Sequence, residues 1–318
     1  MGIKMPKAYH KMKDKIVSID VADNEMNGFL LCQTPECRVP VIYVDAYKKR
    51  YADKTVLVAP YFRLVSNDKP HLNECKYNTL GQVKVIARDS DDNVLRSIEE
   101  GHYSFRLNVI DETLRTLNQL AKDESESEES APWDPKPPAK VYTNQGKLDS
   151  YLSTMQKIMK LRSLTETHDE LREIISLQYG KRSIRWSRFY YTSDDFKKCY
   201  TYIKRNSVTH PLCLEGIIKE IEPPKEKFKF HVLKLRFPWV EPDKDGIVNL
   251  IAVELIIQND KVLNYIQSNS NLNNAAVYSK FHVNESKVHI KQYQGGIKKK
   301  RFLNIKGNLY HPKQIVLF

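Results

Sequence analysis

The most regular alternation of apolar and polar residues lies in residues 209–318. Three runs there repeat with a period of two and predict β-strands: PLCLEGIIKEIE, FHVLKLRFPW and IVNLIAVELII. The run NDKVLNYIQSN predicts a helix, and NAAVYSKFHV and KKKRFLNIKGNLYHPKQIVLF predict at least two further strands. In the second run Leu233 and Leu235 share one face, whereas Lys234 and Arg236 lie on the other. We therefore expect β-structure with an apolar interior and a basic exterior.

The preceding residues, 147–208, are predicted to be mainly helical. Leu148, Leu152, Met155 and Met159 recur at helical spacing and define the first helix. THDELREIISLQYG and SDDFKKCYTYIKRN predict a second and a third helix.

Residues 1–121 are predicted to form a β-rich domain. VPVIYVDAY and KTVLVAP predict a hairpin, LGQVKVIARDSDDNVLRSIEEGHYSFRLNVID predicts three strands with a turn at 90–93, and DETLRTLNQLAK predicts a short helix. Residues 122–146 are acidic and then proline-rich, as is typical of a flexible linker. The sequence thus predicts an α+β fold with an N-terminal zinc-binding β-rich domain, a linker, a helical segment and a C-terminal β-structure.

Four residues predict the zinc site of the N-terminal domain. Cys32 and Cys37 flank a short turn, and His71 and Cys75 follow after the predicted hairpin. Structural zinc sites use four thiolate and imidazole ligands in a tetrahedron. Because four protein ligands leave no open position for a substrate, we expect a structural and not a catalytic ion. The alternative is four unrelated buried residues, since thiols are often buried.

Positive charge is concentrated after the linker. Residues 1–138 carry 20 Lys and Arg against 22 Asp and Glu, whereas residues 139–318 carry 31 against 17. This imbalance predicts a surface that binds a polyanion, and aromatic side chains among the basic ones favour stacked bases. The candidate contacts are Lys181, Arg182, Arg185, Trp186, Arg188, Tyr190, Lys234, Arg236, Tyr278, Lys280, Lys298, Lys299, Lys300 and Arg301. The alternative for residues 181–191 is that the aromatic rings are core and the basic residues its rim.

Two resemblances extend this interpretation. Residues 29–78 resemble the N-terminal module of the competence-protein CoiA-like family, in CQTPECRVPVIYV and APYFRLVSNDKPHLNECKYN. They depart from it in the four residues between Cys32 and Cys37, and in PYFR where the family has histidines. In residues 209–318, the order of three strands, a helix and two strands is similar to the OB-fold, a five-stranded barrel that binds oligonucleotides.

The CoiA-like resemblance implies a nuclease as the alternative function, because the module precedes a restriction-type nuclease domain in that family. Glu166 and His168 lie on or beside one predicted helix, and Glu254 lies within an apolar strand. Two-metal nuclease chemistry needs clustered carboxylates and a nearby lysine. Leu255 and Ile256 follow Glu254, so the Glu-x-Lys pattern is missing. We therefore expect binding without catalysis.

The sequence leads to the hypothesis of a non-enzymatic protein that binds nucleic acid, preferably single-stranded, with a structural zinc module that also offers a surface for a protein partner. A protein-interaction adaptor is a second alternative. Eleven glycines and no glycine-rich phosphate-binding motif argue against a nucleotide-binding enzyme. Cysteines with metal-ligand spacing, the lack of a secretory signal and the lack of a long apolar run lead us to expect a cytoplasmic protein without membrane contact.

Overall fold

The structure is a computed structural model of the chain. It describes residues 3–50, 55–66, 68–91, 94–99, 102–107, 139–165, 169–226, 228–238, 240–293 and 296–318. Helices and strands both occur throughout these ranges, with one large sheet, as expected for an α+β protein. The short helix predicted over DETLRTLNQLAK, and the linker up to residue 138, lie outside the described residues.

The N-terminal part of the chain consists mainly of short strands. They are β1 (Lys7–His10), β2 (Lys15–Ser18), β3 (Leu30–Cys32), β4 (Val41–Val44), β5 (Tyr47–Arg50), β6 (Thr55–Val58) and β7 (Tyr61–Leu64). The first three form a sheet in the order β2-β1-β3. The predicted hairpin is confirmed and consists of two successive strand pairs. β4 pairs antiparallel with β7, and β5 pairs antiparallel with β6.

The first of the three strands predicted after this hairpin is wrong. Residues Thr79–Arg88 form a helix, α1, whose buried Val83, Ile86 and Ala87 follow helical spacing. The side chain of Asn78 caps this helix by accepting a hydrogen bond from the Gly81 amide. The other two strands are confirmed as β8 (Leu95–Glu99) and β9 (His102–Arg106).

The middle of the chain contains both helices and strands. These are α2 (Ala139–Leu164), α3 (Asp169–Ile174), β10 (Ile175–Tyr179), β11 (Arg182–Ile184), β12 (Tyr190–Thr192) and α4 (Phe196–Asn206). The first helix begins at Ala139, inside the range predicted as linker. The second predicted helix is only partly correct, since its C-terminal half is β10. This strand pairs in parallel with β9, so strands from both sides of residues 108–138 share the sheet β11-β10-β9-β8.

The C-terminal part contains the large sheet. Its elements are β13 (Leu212–Glu222), β14 (His231–Leu235), β15 (Ile247–Ile257), α5 (Asp260–Ser268), β16 (Asn274–Ser279), β17 (His282–Glu285), β18 (His289–Tyr293), β19 (Gly296–Leu309) and β20 (Ile315–Leu317). The strand order among the described residues is β17-β19-β15-β14-β13-β16-β20, with β12 beside β13 and β18 beside β19. The three strands and the helix predicted for residues 209–318 are confirmed as β13, β14, β15 and α5, whereas the predicted fourth strand over NAAVYSKFHV is divided into β16 and β17.

The two strands β16 and β17 connect opposite sides of this sheet. They are separated only by Lys280 and Phe281, yet β16 pairs with β13 whereas β17 pairs with β19. At this bend the hydroxyl of Ser279 donates to the carbonyl of Asn308 and accepts from its amide, at 2.8 and 3.2 Å. The Phe281 ring packs on Gly307, where an added Cβ would lie 2.8 Å from the ring. The sheet is therefore curved, and the short connection between β16 and β17 joins its two sides.

Two apolar cores lie on opposite sides of β13 and β16. Val277 belongs to the core inside the curved sheet, which also contains residues of α4 and α5. The adjacent Tyr278 points to the other core, which extends through α2 to the N-terminal strands. This second core contains residues of the N-terminal strands, of α2 and of the C-terminal sheet. The N-terminal module and the C-terminal sheet therefore both pack against α2.

Candidate metal centre and nucleic-acid surface

The four predicted metal ligands lie together in the structure. Cys32 ends β3, and Cys37 follows a turn in which its amide donates to the carbonyl of Thr34. His71 and Cys75 are four residues apart, a spacing typical of one helical face, but they lie in the turns that precede α1. The hairpin of β4 to β7 lies between the two ligand pairs in the chain. It returns the chain to the end of β3, so that all four side chains meet at one point.

The distances between the ligand atoms are short and uniform. The Sγ atoms of Cys32 and Cys75 are 3.7 Å apart. The Nδ1 atom of His71 lies 3.3 Å from the Sγ of Cys37 and 3.5 Å from that of Cys75. All four ligand atoms lie within 4.8 Å of one another, and all four residues are buried. These residues could hold a metal ion.

Burial favours the neutral forms of two of the four residues, Cys32 and His71, when no metal is bound. Burial, together with the neighbouring thiols of Cys75 and Cys37, raises the pKa of Cys32 to about 12, against the hydrogen bonds from Thr34. Burial lowers the pKa of His71 to about 4. The cluster that the structure describes consists of three sulfur atoms and a neutral imidazole, a donor set that suits soft and borderline metal ions.

Two contacts hold the backbone around the ligands. The amide of Tyr77 donates to the Sγ of Cys75 at 3.5 Å, as an outer hydrogen bond to a ligand atom. Arg38 has a positive φ of 43°, and its guanidinium lies 3.5 Å over the Tyr9 ring and donates to the carbonyl of Cys32. The first cysteine pair is thereby fixed against β1.

Three of the predicted nucleic-acid contacts are wrong as stacking platforms, because their rings are buried. Trp186 and Tyr190 stack on each other at 5.4 Å in the core, and both are 2% exposed. Tyr190 also donates to the carboxylate of Glu215 at 2.8 Å. Tyr278 is completely buried and shares a hydrogen bond with the hydroxyl of Tyr151 on α2. For residues 181–191 the alternative from the sequence, an aromatic core with a basic rim, is therefore correct.

The predicted basic contacts do not form one surface. Lys181 lies in the turn before β11, Arg182 on β11, and Arg185 and Arg188 after it. All four are exposed, and β11 belongs to a different sheet from β14 and β15. Lys234 on β14 forms an ion pair with Glu222 at 2.8 Å, and Arg301 on β19 pairs with Glu285 at 3.3 Å. Of the others, Lys299 is exposed, Arg236, Lys280 and Lys300 are partly buried, and the side chain of Lys298 is outside the described residues.

A groove of about 300 Å³ lies on the outer face of β14, β15 and β19. Phe237 and Phe302 line it together with Lys219, Lys234 and Asn304. Neither phenylalanine is among the contacts predicted from the sequence. Phe237 continues the spacing of Leu233 and Leu235, which would place it on the apolar face, but β14 ends at Leu235.

The structure describes only some of the carboxylates of the nuclease alternative, and these belong to no group of three or more potential metal ligands. Glu254 points to the same outer face and pairs with Lys306 of the neighbouring β19 at 3.1 Å. Asp243 closes its own loop by accepting from the amide of Ile247 at 2.9 Å. Within the described ranges the only group of three or more potential metal ligands is the cysteine and histidine cluster. Glu166 and His168 lie outside those ranges.

Comparison of the chain with family models, curated proteins and solved structures finds no match. The resemblances to the CoiA-like module and to the OB-fold therefore stay predictions. In the part of the chain that the structure describes, no helix combines the length and apolar character needed to cross a membrane.

Proposed function

We propose that the chain binds single-stranded nucleic acid on the outer face of an OB-like barrel formed by β13, β14, β15, β16 and β19. The strand order supports this assignment. β16, β13, β14 and β15 follow the order 4-1-2-3 of a Greek key, α5 connects the third strand to the fourth, and β19 lies beside the third. OB-folds bind oligonucleotides on the face of their second and third strands, between the connections 1–2 and 4–5.

The observation that carries the proposal is the composition of these two connections. Residues 223–230 form the first and expose the rings of Phe228 and Phe230, next to Lys225 and Lys229. The second contains the hairpin of β18 and β19, with Lys299 and Lys300 on its second strand. Basic side chains that neutralise phosphates and accessible rings that stack with bases are the two components of sequence-independent strand binding.

The ion pairs on this face limit the affinity for nucleic acid that we expect. Hydrogen bonds from Lys225 and Lys234 lower the pKa of Glu222 to about 2, so this carboxylate stays charged and neutralises part of the basic surface. Glu254 acts in the same way on Lys306. We therefore expect moderate affinity with a clear dependence on salt, supplied mainly by the two connections and the phenylalanine rings.

The test measures fluorescence anisotropy of a labelled oligothymidine of about 20 nucleotides, its RNA equivalent and a duplex, with the full chain. The full chain is needed because α2 shares one core with both ends of the protein. We expect single strands to bind more tightly than the duplex. Replacing both Phe228 and Phe230 by Ala should weaken binding at least about fivefold, since stacking contributes about 1–3 kcal/mol per base.

Charge variants separate this face from the basic residues at β11 that the sequence also predicts as contacts. The double variant Lys299→Ala with Lys300→Ala should have a weaker salt dependence. The slope of the logarithm of affinity against the logarithm of salt concentration should become less negative by about 0.7 for each lost phosphate contact. Lys181→Ala with Arg182→Ala is the matched control on β11 and should leave the slope unchanged. No binding at low salt, or a larger effect of the control pair, would refute the proposed face.

For the metal centre we propose a structural zinc ion. Tetrahedral zinc with bonds of about 2.3 Å to sulfur and about 2.05 Å to nitrogen requires S–S separations of about 3.8 Å and S–N separations of about 3.6 Å. The observed 3.7 Å between Cys32 and Cys75, and 3.3 and 3.5 Å from His71 to Cys37 and Cys75, agree with these values. Four protein ligands leave no open position, so the proposed ion stabilises the fold and takes no part in a reaction.

A further inference from the structure

A second groove, of about 510 Å³, lies between α1, α2 and the N-terminal residues. Its floor is apolar and is formed by side chains that include Ile3, Val85, Leu161 and Leu164. Val85 is 41% exposed and Leu164 is 39% exposed, although both lie on helices that bury neighbouring apolar residues such as Val83 and Leu161. Contiguous exposed apolar surface of this kind marks a binding site more often than a solvated surface.

The rim of this groove is positively charged. Four lysines, Lys4, Lys76, Lys157 and Lys160, line it, and Asp89 is the one acidic residue among the described lining residues. Asp89 lies 3.6 Å from the Nζ of Lys157, so it offsets only part of the charge. A ligand that complements the rim must therefore be anionic.

The lysines are placed at both ends of the groove. Lys157 lies beside Asp89, which follows the last residue of α1, whereas Lys76 lies just before the first. The amide of Lys4 donates to the carbonyl of Leu164 at 2.7 Å, which places it at the C-terminal end of α2. Because α1 has ten residues, the two ends are separated by about 15 Å.

We propose that this groove binds an acidic amphipathic segment of a partner protein. Such a segment would place apolar side chains on the floor and acidic residues near the lysines at each end. A fatty acid or similar single-headed anion would need positive charge at one end only, so the two-ended arrangement favours a peptide. A groove between two helices is a known way of binding an amphipathic helix, and 15 Å corresponds to about three turns.

The groove wall is also linked to the metal centre. Asn78, which caps α1, donates from its side chain to the carbonyl of His71 at 2.6 Å. Tyr77 lines the groove two residues after the ligand Cys75. The site thus belongs to the module that the sequence predicts to contact a protein partner, and the inference does not rest on nucleic-acid binding.

The experiment selects binders from a displayed library of random peptides with the metal-loaded full chain, and then measures synthetic labelled copies by anisotropy. We expect selected peptides to contain apolar residues flanked by Asp or Glu. Val85→Asp should weaken their binding by about tenfold or more, because it buries a carboxylate on an apolar floor. Lys160→Glu should weaken it several-fold through charge reversal.

Matched controls lie outside the groove. Val65→Asp changes a valine that is 51% exposed after β7, and Lys197→Glu reverses an exposed lysine on α4; both should leave affinity within about twofold. Thermal melting of each variant establishes that it is folded. Three results would overturn the proposal: no peptide is selected, the selected peptides lack acidic residues, or they bind Val85→Asp as tightly as the unaltered chain. Displacement of the peptides by micromolar oleate would instead identify a site for a single-headed anion.

Discussion

The sulfur atoms of Cys32 and Cys75 lie 3.7 Å apart, although 43 positions separate these residues in the chain. Neither forms a disulfide, since both are free thiols. With the thiol of Cys37 and the imidazole of His71 they form a buried set of four potential ligands whose atoms lie within 4.8 Å of one another. The cluster connects β3 to the turn before α1, and through Asn78 it reaches the helix itself.

Loss of one ligand should remove both the metal and much of the stability of this region. Cys32→Ala is expected to lower bound zinc below 0.1 equivalent and to reduce the melting temperature clearly, because binding energy at a structural site is also folding energy. Elemental analysis and thermal melting measure both effects. Cys199→Ala is the control, since Cys199 is buried in the other core. A Cys32→Ala protein with one zinc and unchanged melting would contradict the assignment.

Metal binding should release protons. Burial raises the pKa of Cys32 to about 12, so this residue is a neutral thiol at pH 7.5 in the metal-free chain and must lose its proton to bind zinc. We expect at least one proton to be released for each zinc ion added. Titration of the metal-free protein with zinc in weak buffer and a pH indicator measures this number, and uptake without acidification would argue against a thiolate ligand.

The pH dependence follows from His71. Its pKa is lowered by burial from 6.5 to about 4, so the unfolded chain binds a proton between these values that the folded chain does not. Stability should therefore fall as the pH decreases from 6.5 toward 4. The buried imidazole stays neutral in this window and available to the metal. Urea unfolding of the metal-free chain at pH 7 and pH 5 should show a lower midpoint at pH 5; an equal or higher midpoint at pH 5 would contradict this dependence.

Trp186 should contribute to stability and not to nucleic-acid binding. Its ring is in the core against Phe189 and Tyr190, so Trp186→Ala should cost about 3–5 kcal/mol of unfolding free energy. Phe228→Ala changes an exposed ring and should alter stability by less than about 1 kcal/mol while weakening oligonucleotide binding. Chemical denaturation and anisotropy compare the two variants, and the reverse outcome would restore the interpretation of Trp186 as a stacking platform.

Removing the charge of Glu254 should tighten binding. Glu254→Gln breaks the ion pair with Lys306 and leaves the lysine free to contact a phosphate. Because the pair is partly exposed, we expect a stability change of at most about 1 kcal/mol. Oligonucleotide affinity should increase about two- to fivefold at low salt. Metal-dependent strand cleavage that is lost in this variant would instead support the nuclease alternative.

Several elements were predictable because their signal is local. The hairpin that brings the two ligand pairs together is visible in two apolar runs, and α2 and α4 follow helical spacing. The strands β13, β14 and β15 follow period-two alternation. Residues 79–88 were mistaken for a strand because QVKVIA fits both periods, and only burial of Val83, Ile86 and Ala87 on one side decides for a helix.

The sequence by itself predicted which four residues could hold a metal ion, because three thiols and an imidazole in two closely spaced pairs are typical of such a site; the tertiary structure brings them within 4.8 Å of one another. It also predicted β13, β14 and β15, because alternation is a property of the chain. Tertiary structure alone decided which aromatic rings are accessible. Tyr278 lies on the outer side of its strand, as its position predicts, but α2 covers that side and Tyr151 takes its hydroxyl. Alternation assigns a side chain to one face of a strand, whereas burial depends on what distant part of the chain packs against that face.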